Sequence, residues 1–393
     1  MKLVVVGFGQ CGGRIADEFA RLNRKARGQR GIDIVAGVFA VNTDVADLSG
    51  LTSIRPDYHH RILIGGRKTG GHGVGKINEL GAEIAREDGD KVIDTVRAGK
   101  QFAEADAFLL IAGAAGGTGS GAIPVMTQYI KERYIDKPVY NLIVLPFEHE
   151  ETTEERTVYN AATCLKSSYL VSDAVFLVDN QRYIMKDSPI KTNLAKINAM
   201  ITEPFYNLLC AGEEKKHKYI GSKMLDAGDI IQTVAGWTVI GYGKSQIPFT
   251  KFLFVRTRDF RNKATEAQKG TQAMDSAISG LSLKCNPVDS KRALYLVSAP
   301  AKEMNMDLIK ELGTYLKNLA PEAIIRSGDY PRERGSLDVT VILSELSDVE
   351  KVRNYFTKTI SLISTLKKRL EGVERESKYR GIEVTLKDIP SLL

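Results

Sequence analysis

Six short apolar runs alternate with amphipathic stretches in the first half of the chain, and this alternation constrains the fold more than any other feature. The runs are LVVV, IVAGVFAVN, RILIG, DAFLLIA, VYNLIVLP and DAVFLVDN. Few polar residues interrupt them, which is typical of strands covered on both faces. Helical patterns such as RIADEFARLNRKA lie between several of them. The pattern predicts an α/β fold with a doubly wound parallel sheet, in which ligands bind at the carboxyl ends of the strands.

The spacing of apolar residues changes after the last of these runs. Apolar residues recur at spacings of three and four at Leu194, Ile197, Ile201, Phe205 and Leu208. They predict a long central helix, which Pro204 is expected to kink. Beyond it, FLFVRTRDF, RALYLVSAP and SLDVTVILSEL predict strands of a second sheet, and MNMDLIKELGTYLKNL and DVEKVRNYFTKTISLISTLKKRL predict its helices. We therefore expect a parallel-sheet domain at 1–185, a central helix and loop at 186–228, and a C-terminal α/β (α+β) domain at 229–393.

Length, cysteine spacing and the distribution of apolar and basic residues limit the classes of protein to which this chain can belong. With 393 residues, 43% of them apolar, the chain is expected to fold into two domains. Its 4 cysteines form no CxxC pair, which argues against a disulfide framework or a zinc site. No leader pattern and no apolar run near the ~20 residues that span a bilayer is present, so we expect a cytoplasmic protein without direct membrane insertion. The basic run RLNRKARGQR lacks interleaved aromatic residues and fits a solvated helix end better than a nucleic-acid site.

Two glycine-rich turns each follow an apolar run. Gly7, Gly9 and Gly12 spell GxGxxG, which lets backbone amides at a helix N-terminus approach a phosphate. A nicotinamide dinucleotide site has the same spacing and an acid after the second strand, a position that Asp44 could fill. The second turn, AGAAGGTGSG, adds amides and hydroxyls beyond what a pyrophosphate requires and suits a triphosphate. It is not a Walker loop, because no GK[ST] closes it.

The second turn also carries a family resemblance. AGGTGSG resembles the GGGTG[ST]G signature of the tubulin and FtsZ superfamily of GTP-dependent filament formers. GQCGG is similar to the first nucleotide loop of tubulin and NTD to the second loop of FtsZ. IGGRKTGGHGVG, PFEHEE and VDN resemble the third, fifth and sixth loops in order, and GHGVG with NELGAEIA is most similar to the archaeal CetZ group. The resemblance covers the first 230 residues well and the remainder by length and strand order.

The matched motifs imply where GTP and its metal ion bind. The residues implied to contact the nucleotide in the first two loops are Gly9, Gln10, Cys11, Gly12, Gly13, Arg14, Asn42 and Asp44. In the second glycine turn, Gly116 is implied to contact GTP, and Gly117, Thr118, Gly119 and Ser120 are implied to hold the β- and γ-phosphates. Thr69, Gly70 and Gly71 belong to the third loop, which is implied to sense the γ-phosphate. Asn180 and Asn198 match asparagines that bind guanine, for which a side-chain amide offers both donor and acceptor. Glu150, or next best Glu151, matches the ribose contact, and Mg2+ is expected on phosphate oxygens without a predicted protein ligand.

The resemblance also implies how the reaction would occur. KMLDAGDIIQTVAG resembles the synergy loop, whose two acids, here Asp226 and Asp229, position the attacking water in the next subunit's pocket. Hydrolysis of GTP to GDP and phosphate would then be stimulated by head-to-tail assembly into filaments that control cell shape or division. FtsZ proteins have an asparagine two positions before the first acid, where this chain has Met224. An N-cap is the alternative role for Asp226, and the two roles are compatible.

Other functions and partners stay open at this stage. An NAD(P)-dependent oxidoreductase would use GFGQCG and Asp44, and a non-hydrolysing GTP-binding regulator is consistent with Met224. The C-terminal LKDIPSLL resembles the tail by which FtsZ proteins bind membrane-tethering partners, although an ordinary terminal strand or tail also fits. We expect self-association, a protein partner that tethers the filament to a membrane, and no nucleic-acid partner.

Overall fold

The computed structural model describes residues 1–99, 101–184, 190–247, 260–333, 335–371 and 390–393. These residues form two compact units. The parallel-sheet unit comprises Leu3–Arg21, Val35–Asn198 and Asp348–Leu393, and the mixed-sheet unit comprises Met1–Lys2, Leu22–Ile34 and Ala199–Ser347. Neither unit is one continuous stretch of chain. The domain boundaries expected at residues 185 and 228 remain predictions.

The apolar runs of the first half form the strands of the parallel-sheet unit. These strands are β1 Leu3–Phe8, β2 Val35–Asn42, β3 Arg61–Leu63, β4 Ala107–Gly113, β5 Val139–Leu145 and β6 Ala174–Asp179. They lie in the order β3-β2-β1-β4-β5-β6, and each neighbouring pair is parallel. Every residue of β1, β5 and β6 is buried, as expected for strands covered on both faces. The predicted doubly wound parallel sheet is confirmed.

The register of this sheet brings the strand ends together. Phe8 at the end of β1 pairs with Val41 on one side and Ala112 on the other. In the same way, Leu145 at the end of β5 pairs with Asp179 at the end of β6. The loops that follow β1, β2, β4, β5 and β6 therefore leave the sheet along one edge, where a ligand meets several of them at once.

Helices connect the strands throughout the described chain. In chain order they are α1 Gly9–Arg30, α2 Val45–Ser49, α3 Gly66–Thr69, α4 Asn78–Glu87, α5 Gly89–Arg97, α6 Thr118–Arg133, α7 Glu148–Thr153, α8 Glu155–Val171, α9 Ile190–Ala211, α10 Ala227–Thr233, α11 Phe260–Ser279, α12 Met306–Leu319 and α13 Glu350–Glu371. The predicted central helix is α9, and it continues through Pro204. In the part of the chain described here, no helix combines the length and apolarity needed to cross a bilayer.

The mixed-sheet unit has four described strands of its own. Its described strands are β7 Gly236–Gln246, β8 Ser290–Ala299, β9 Ile324–Pro331 and β10 Ser336–Leu346, in the order β7-β10-β8-β9. β10 runs antiparallel to β7 and β8, whereas β8 and β9 are parallel. Two predicted strands correspond to β8 and β10, and β7 and β9 were not predicted. The strand predicted from FLFVRTRDF falls on residues 252–260, of which 252–259 lie outside the described residues.

The basic run at 21–30 is the end of α1. Its cations are engaged by neighbouring side chains, since Arg27 forms an ion pair of 2.6 Å with Asp33 and the ammonium of Lys25 lies 4.4 Å from the ring centre of Tyr206. These contacts fit the solvated helix end favoured by the sequence.

Candidate functional site

A cleft of about 550 Å³ opens along the carboxyl edge of the parallel sheet. Its lining comes from the loops after β1, β4, β5 and β6 and from the first turns of α9, all within the parallel-sheet unit. The predicted nucleotide contacts that line it are Gly9, Gln10, Cys11, Arg14, Gly116, Gly119, Glu150, Asn180 and Asn198. This volume lies within the range of small-molecule and cofactor sites.

The two glycine turns lie side by side at one end of the cleft. Gly9 opens α1 with a φ of +68°, a conformation that residues with a side chain rarely adopt. A methyl group on Gly12 would lie 2.1 Å from the carbonyl oxygen of Ile111 in β4, so only glycine allows this close approach of α1 to the strand. α6 begins at Thr118 without a side-chain cap. The first amides of α6 therefore lack a side-chain cap, and the dipoles of α1 and α6 both favour an anion at this point.

Hydroxyl groups connect the second glycine turn to its neighbours. The hydroxyls of Thr118 and Thr43 lie 2.6 Å apart and are buried. The carbonyl of Thr43 accepts hydrogen bonds from the Thr69 hydroxyl at 3.2 Å and from the Gly73 amide at 3.1 Å. The Ser120 hydroxyl donates to the carbonyl of Gly116. Thr43 thus joins three loops and was missed as a site residue, although it is the middle residue of the NTD motif.

The residues of the second loop support the cleft from outside its lining. The amide groups of Gln10 and Asn42 both donate to the carboxylate of Asp47, at 2.6 and 3.1 Å. Asp44 caps α2 by accepting a hydrogen bond from the Asp47 amide at 3.1 Å. Asp44 does not line the cleft, which removes the main support for a dinucleotide ribose site. Asp47 was not among the predicted site residues.

The third loop is built around α3, which lies between two left-handed glycines, Gly65 and Gly70. Lys68 extends from it to Glu83 and Glu87 of α4, with N–O distances of 2.5 and 2.6 Å. These two hydrogen bonds raise the pKa of Lys68. The predicted contacts of this loop, Thr69 to Gly71, do not line the cleft.

The opposite end of the cleft combines amides with apolar side chains. Asn180, in the turn after β6, and Asn198, on α9, both line it. The apolar side chains beside them are those of Phe147, Ile184, Leu194 and Ile197. A flat heterocycle with donors and acceptors on its edge fits such a mixture of apolar and amide groups.

The two candidate ribose acids are directed differently. Glu150 lines the cleft and accepts a hydrogen bond from the Phe147 amide at 2.9 Å, which satisfies the N-cap amide at the start of α7. Glu151 does not line the cleft and instead accepts a hydrogen bond from the hydroxyl of Tyr355 on α13. Successive residues on a helix point about 100° apart, so only one of the two reaches the cleft. The geometry favours the first choice, Glu150.

Two cationic side chains, those of Arg14 and Lys76, line the cleft and differ in their ion pairing. Arg14 is exposed and, among the residues that the structure describes, has no ion-pair partner. Lys76 also lines the cleft but pairs with Glu154 at 2.5 Å. Burial and then the charge of Glu150 raise the pKa of the Cys11 thiol to about 12, while Arg14 acts in the opposite direction. Cys11 is therefore a neutral thiol at physiological pH, as expected for a small packing residue.

A buried amide on α8 supports the second glycine turn. Asn160 is fully buried, and its amide group donates to the carbonyls of Lys76 at 2.9 Å and Ala115 at 3.0 Å. Lys76 has a φ of +62°, which is uncommon for a residue other than glycine. Asn160 thus ties this left-handed residue to the turn that carries Gly116. The sequence offered only a polar residue inside an apolar helical face as a signal.

The two candidate catalytic acids lie in the mixed-sheet unit. Asp226 caps α10, and its Oδ1 accepts a hydrogen bond from the Asp229 amide at 2.9 Å. Asp229 forms an ion pair of 3.5 Å with Arg326. Among the described residues, Oδ2 of Asp226 accepts no hydrogen bond. The N-cap role is therefore present, and one carboxylate oxygen is left for another role. Met224, nearby, is 47% exposed.

Only the last four residues of the predicted partner-binding tail belong to the described chain; 386–389 lie outside it. Leu392 is buried, its amide donates to the Ser167 hydroxyl at 3.0 Å, and its carbonyl accepts a hydrogen bond from Arg86.

Comparison with known proteins identifies the family. Residues 2–186 match the family model described as Tubulin/FtsZ family, GTPase domain, and residues 187–361 match Tubulin-like CetZ, C-terminal domain. The chain is 33% identical over 372 residues to the tubulin-like protein CetZ1 of Haloferax volcanii, a match that covers 90% of each protein. This chain belongs to the tubulin-like CetZ family. The resemblance stated from its motifs is therefore confirmed.

Solved CetZ structures have the same fold. The GDP-bound monomer of CetZ1 from Haloferax volcanii matches with a TM-score of 0.79 at 29% identity, over 92% of this CetZ-family chain and 100% of the other. CetZ2 from the same organism, solved as a GTPgS-bound protofilament, matches with a TM-score of 0.80 at 27% identity, over 93% and 100%. These likenesses confirm the tubulin-like α/β fold.

Proposed function

We propose that this chain binds GTP in the cleft, assembles head to tail, and hydrolyses GTP to GDP and phosphate where two copies meet. One observation carries the proposal: a single cleft is lined by the N-termini of two helices, which follow β1 and β4, and by Glu150 after β5, Asn180 after β6 and Asn198 on α9. This arrangement is complementary to the phosphates and the nucleoside of a guanine nucleotide. Two related structures, the GDP-bound monomer of CetZ1 and the GTPgS-bound protofilament of CetZ2, support the same assignment.

The phosphates are proposed to lie against the first turns of α1 and α6. Amides of the segments Gly9–Gly13 and Gly116–Ser120 would donate to their oxygens, and Arg14, which lacks an ion pair among the described residues, would offset their charge. The loop from Thr69 to Gly71, joined to this end through Thr43, would respond to the γ-phosphate. Mg2+ would bind mainly through phosphate oxygens and water, because the described residues contain no cluster of three acidic, histidine or cysteine ligands.

The nucleoside is proposed to occupy the opposite end. Asn180 and Asn198 would each present an amide to the guanine edge, and Glu150 would accept a hydrogen bond from a ribose hydroxyl. Asp44 does not line the cleft, so the dinucleotide alternative leaves the ribose without its predicted acid. Tighter binding of GTP than of NADH in a fluorescence titration would support this assignment, and the reverse order would overturn it.

Catalysis is proposed to require acids from a second copy. Asp226 and Asp229 would orient the attacking water in the cleft of the neighbouring chain, because among the described residues Glu150 is the sole acid that lines the cleft in its own chain. The capping bond uses Oδ1 of Asp226, so the helix cap and the contact with water are compatible. This head-to-tail contact would leave both ends of the assembly open, so a filament would form. The filament is proposed to have a role in cell shape or division. A protein partner is proposed to tether it to a membrane.

Two substitutions of Asp226 separate its role as a helix cap from its proposed role in catalysis. Asp226→Asn retains a good N-cap but removes the charge, whereas Asp226→Ala removes both. We expect both variants to lose turnover by at least about a hundred-fold. Only Asp226→Ala should also lose about 1 kcal/mol of helix stability. Normal turnover by Asp226→Asn would overturn the catalytic assignment.

A mixing experiment tests whether the site is shared between copies. Gly116 lines the cleft with open space around it, so Gly116→Asp should fold and repel the phosphates. Neither Gly116→Asp nor Asp226→Asn alone should turn over GTP, but their mixture should, with activity that rises steeply with concentration together with light scattering. An inactive mixture of two folded variants would contradict the shared site. Tight GTP binding by the wild-type chain with no turnover at any concentration would instead favour the non-hydrolysing regulator.

A further inference from the structure

The two loops proposed to hold the nucleoside each carry a second carboxylate outside the cleft. Glu151 follows the proposed ribose contact Glu150, and Asp179 precedes the proposed base contact Asn180. The side chains of Glu151 and Asp179 are only 10% and 12% exposed, and neither lines the cleft. Two nearly buried carboxylates on adjacent loops repel each other unless a cation lies between them.

α13 provides that cation. The ammonium of Lys351 lies 2.8 Å from Oδ1 of Asp179 and 3.9 Å from Oε1 of Glu151. Tyr355, one turn further along α13, donates its hydroxyl hydrogen to Glu151 and is buried. Lys358 approaches the other oxygen of Glu151 at 3.4 Å but is 57% exposed. Among the described side chains of α13, Lys351 is therefore the lysine that contacts both loops.

The same contact reaches the backbone of the base-binding turn. Oδ1 of Asp179, which Lys351 holds, also accepts a hydrogen bond from the Gln181 amide at 3.1 Å and so caps the turn that contains Asn180. A shift of Asp179 is expected to move this turn relative to α7, because a pocket residue depends on the groups that fix its backbone.

We propose that Lys351 is a positioning residue of the nucleotide site. It fixes the spacing between the start of α7 and the turn after β6, and it thereby presents Glu150 and Asn180 to the nucleoside. This inference rests on the proposed function of the cleft. It connects α13, which follows the last strand of the mixed-sheet unit in sequence, to the affinity for nucleotide.

The test measures GTP and GDP affinity of the full chain by titration with fluorescent analogues. Lys351→Met should weaken both nucleotides by a similar factor of about five, because the nucleoside is common to them. Lys351→Arg keeps the charge and should recover most of the loss. Lys358→Met removes a lysine of the same helix that contacts only Glu151, and it should change affinity less than about two-fold because the pair is exposed.

Two further results distinguish positioning from general stability. Combining Lys351→Met with Asp179→Asn should weaken binding less than the product of the two single effects, because both changes break one contact. A lower melting temperature of Lys351→Met with unchanged affinity would overturn the inference, as would a loss confined to GTP. Failure of the wild-type chain to bind GTP would overturn the proposed function and this inference with it, whereas equal binding by wild type and Lys351→Met would overturn this inference alone.

Discussion

Substitution of two adjacent glycines of α1 by alanine should shift the melting temperature of the protein in opposite directions. Gly12 and Gly13 are both in the GQCGG motif, and sequence alone treats them alike. A methyl group on Gly12 would lie 2.1 Å from the carbonyl oxygen of Ile111, a backbone atom. A methyl group on Gly13 would meet only side-chain carbons of Ala40 and Leu51, at 3.8 Å or more. The first contact is impossible without movement of backbone, and the second is ordinary van der Waals packing.

The magnitudes follow from these distances. Relief of the Gly12 contact requires α1 and β4 to separate by about 1 Å, and such overpacking costs about 3 kcal/mol or more. Replacement of Gly13 by alanine in a helix interior removes backbone entropy from the unfolded chain and should stabilise by about 1 kcal/mol. For a unit of this size, 1 kcal/mol corresponds to about 2–4 °C in melting temperature. We therefore expect Gly12→Ala to melt about 6–12 °C lower and Gly13→Ala about 2–4 °C higher than wild type.

Circular dichroism melting of the nucleotide-free chains measures both shifts. A nucleotide titration of Gly13→Ala provides the control. Its affinity should remain within about two-fold of wild type, because alanine keeps the backbone amide and its methyl group would meet only the side chains of Ala40 and Leu51. Equal destabilisation by both substitutions would refute the reasoning, because it would mean that any side chain in this motif is disruptive. An unchanged melting temperature for Gly12→Ala would show that the strand and the helix are not in the close contact described here.

Two further predictions concern the cleft. Burial and the charge of Glu150 raise the pKa of Cys11 from its ordinary 9.0 to about 12, so the thiol stays protonated at pH 8 and its alkylation, followed by mass spectrometry, should be about a thousand-fold slower than that of an ordinary thiol. Glu150→Gln should speed the reaction, and a rate like that of a free thiol would contradict this environment. Asn160→Ala leaves the carbonyls of Lys76 and Ala115 without their buried donor and should cost about 1–3 kcal/mol in thermal or urea unfolding, whereas a neutral effect would refute the supporting role of this amide.

The strands and the glycine turns could be predicted because they depend on local rules. A strand covered on both faces needs an apolar run, and a helix that begins next to a phosphate needs glycine, so both leave a direct record in the sequence. Strands β7 and β9 were missed because their sequences include polar residues and glycine, for example Gly236 and Gly328, that local propensity does not assign to a strand. Their stability comes from pairing with β10 and β8, which are distant in sequence.

Supporting residues of the site could not be predicted in the same way. Three of these residues act through hydrogen bonds to partners 26 to 84 positions away in the chain, namely Thr43, Asp47 and Asn160. Their residue types alone do not distinguish them from polar residues at the surface. A buried hydrogen bond is recorded in the sequence only as a polar residue in an apolar setting, and many such residues have no functional neighbour.

The sequence by itself determined the family, the parallel sheet, the two glycine turns and the residue types at both ends of the cleft, because each follows from periodicity, from backbone freedom or from a matched motif. Only the tertiary structure decided which side chains face the cleft. It directs Glu150 into the cleft and Glu151 toward α13, it engages Asp44 as a helix cap, and it brings Lys351 beside Asp179 across 172 residues of chain. The physical reason is that direction and long-range contact depend on packing, which no local pattern contains.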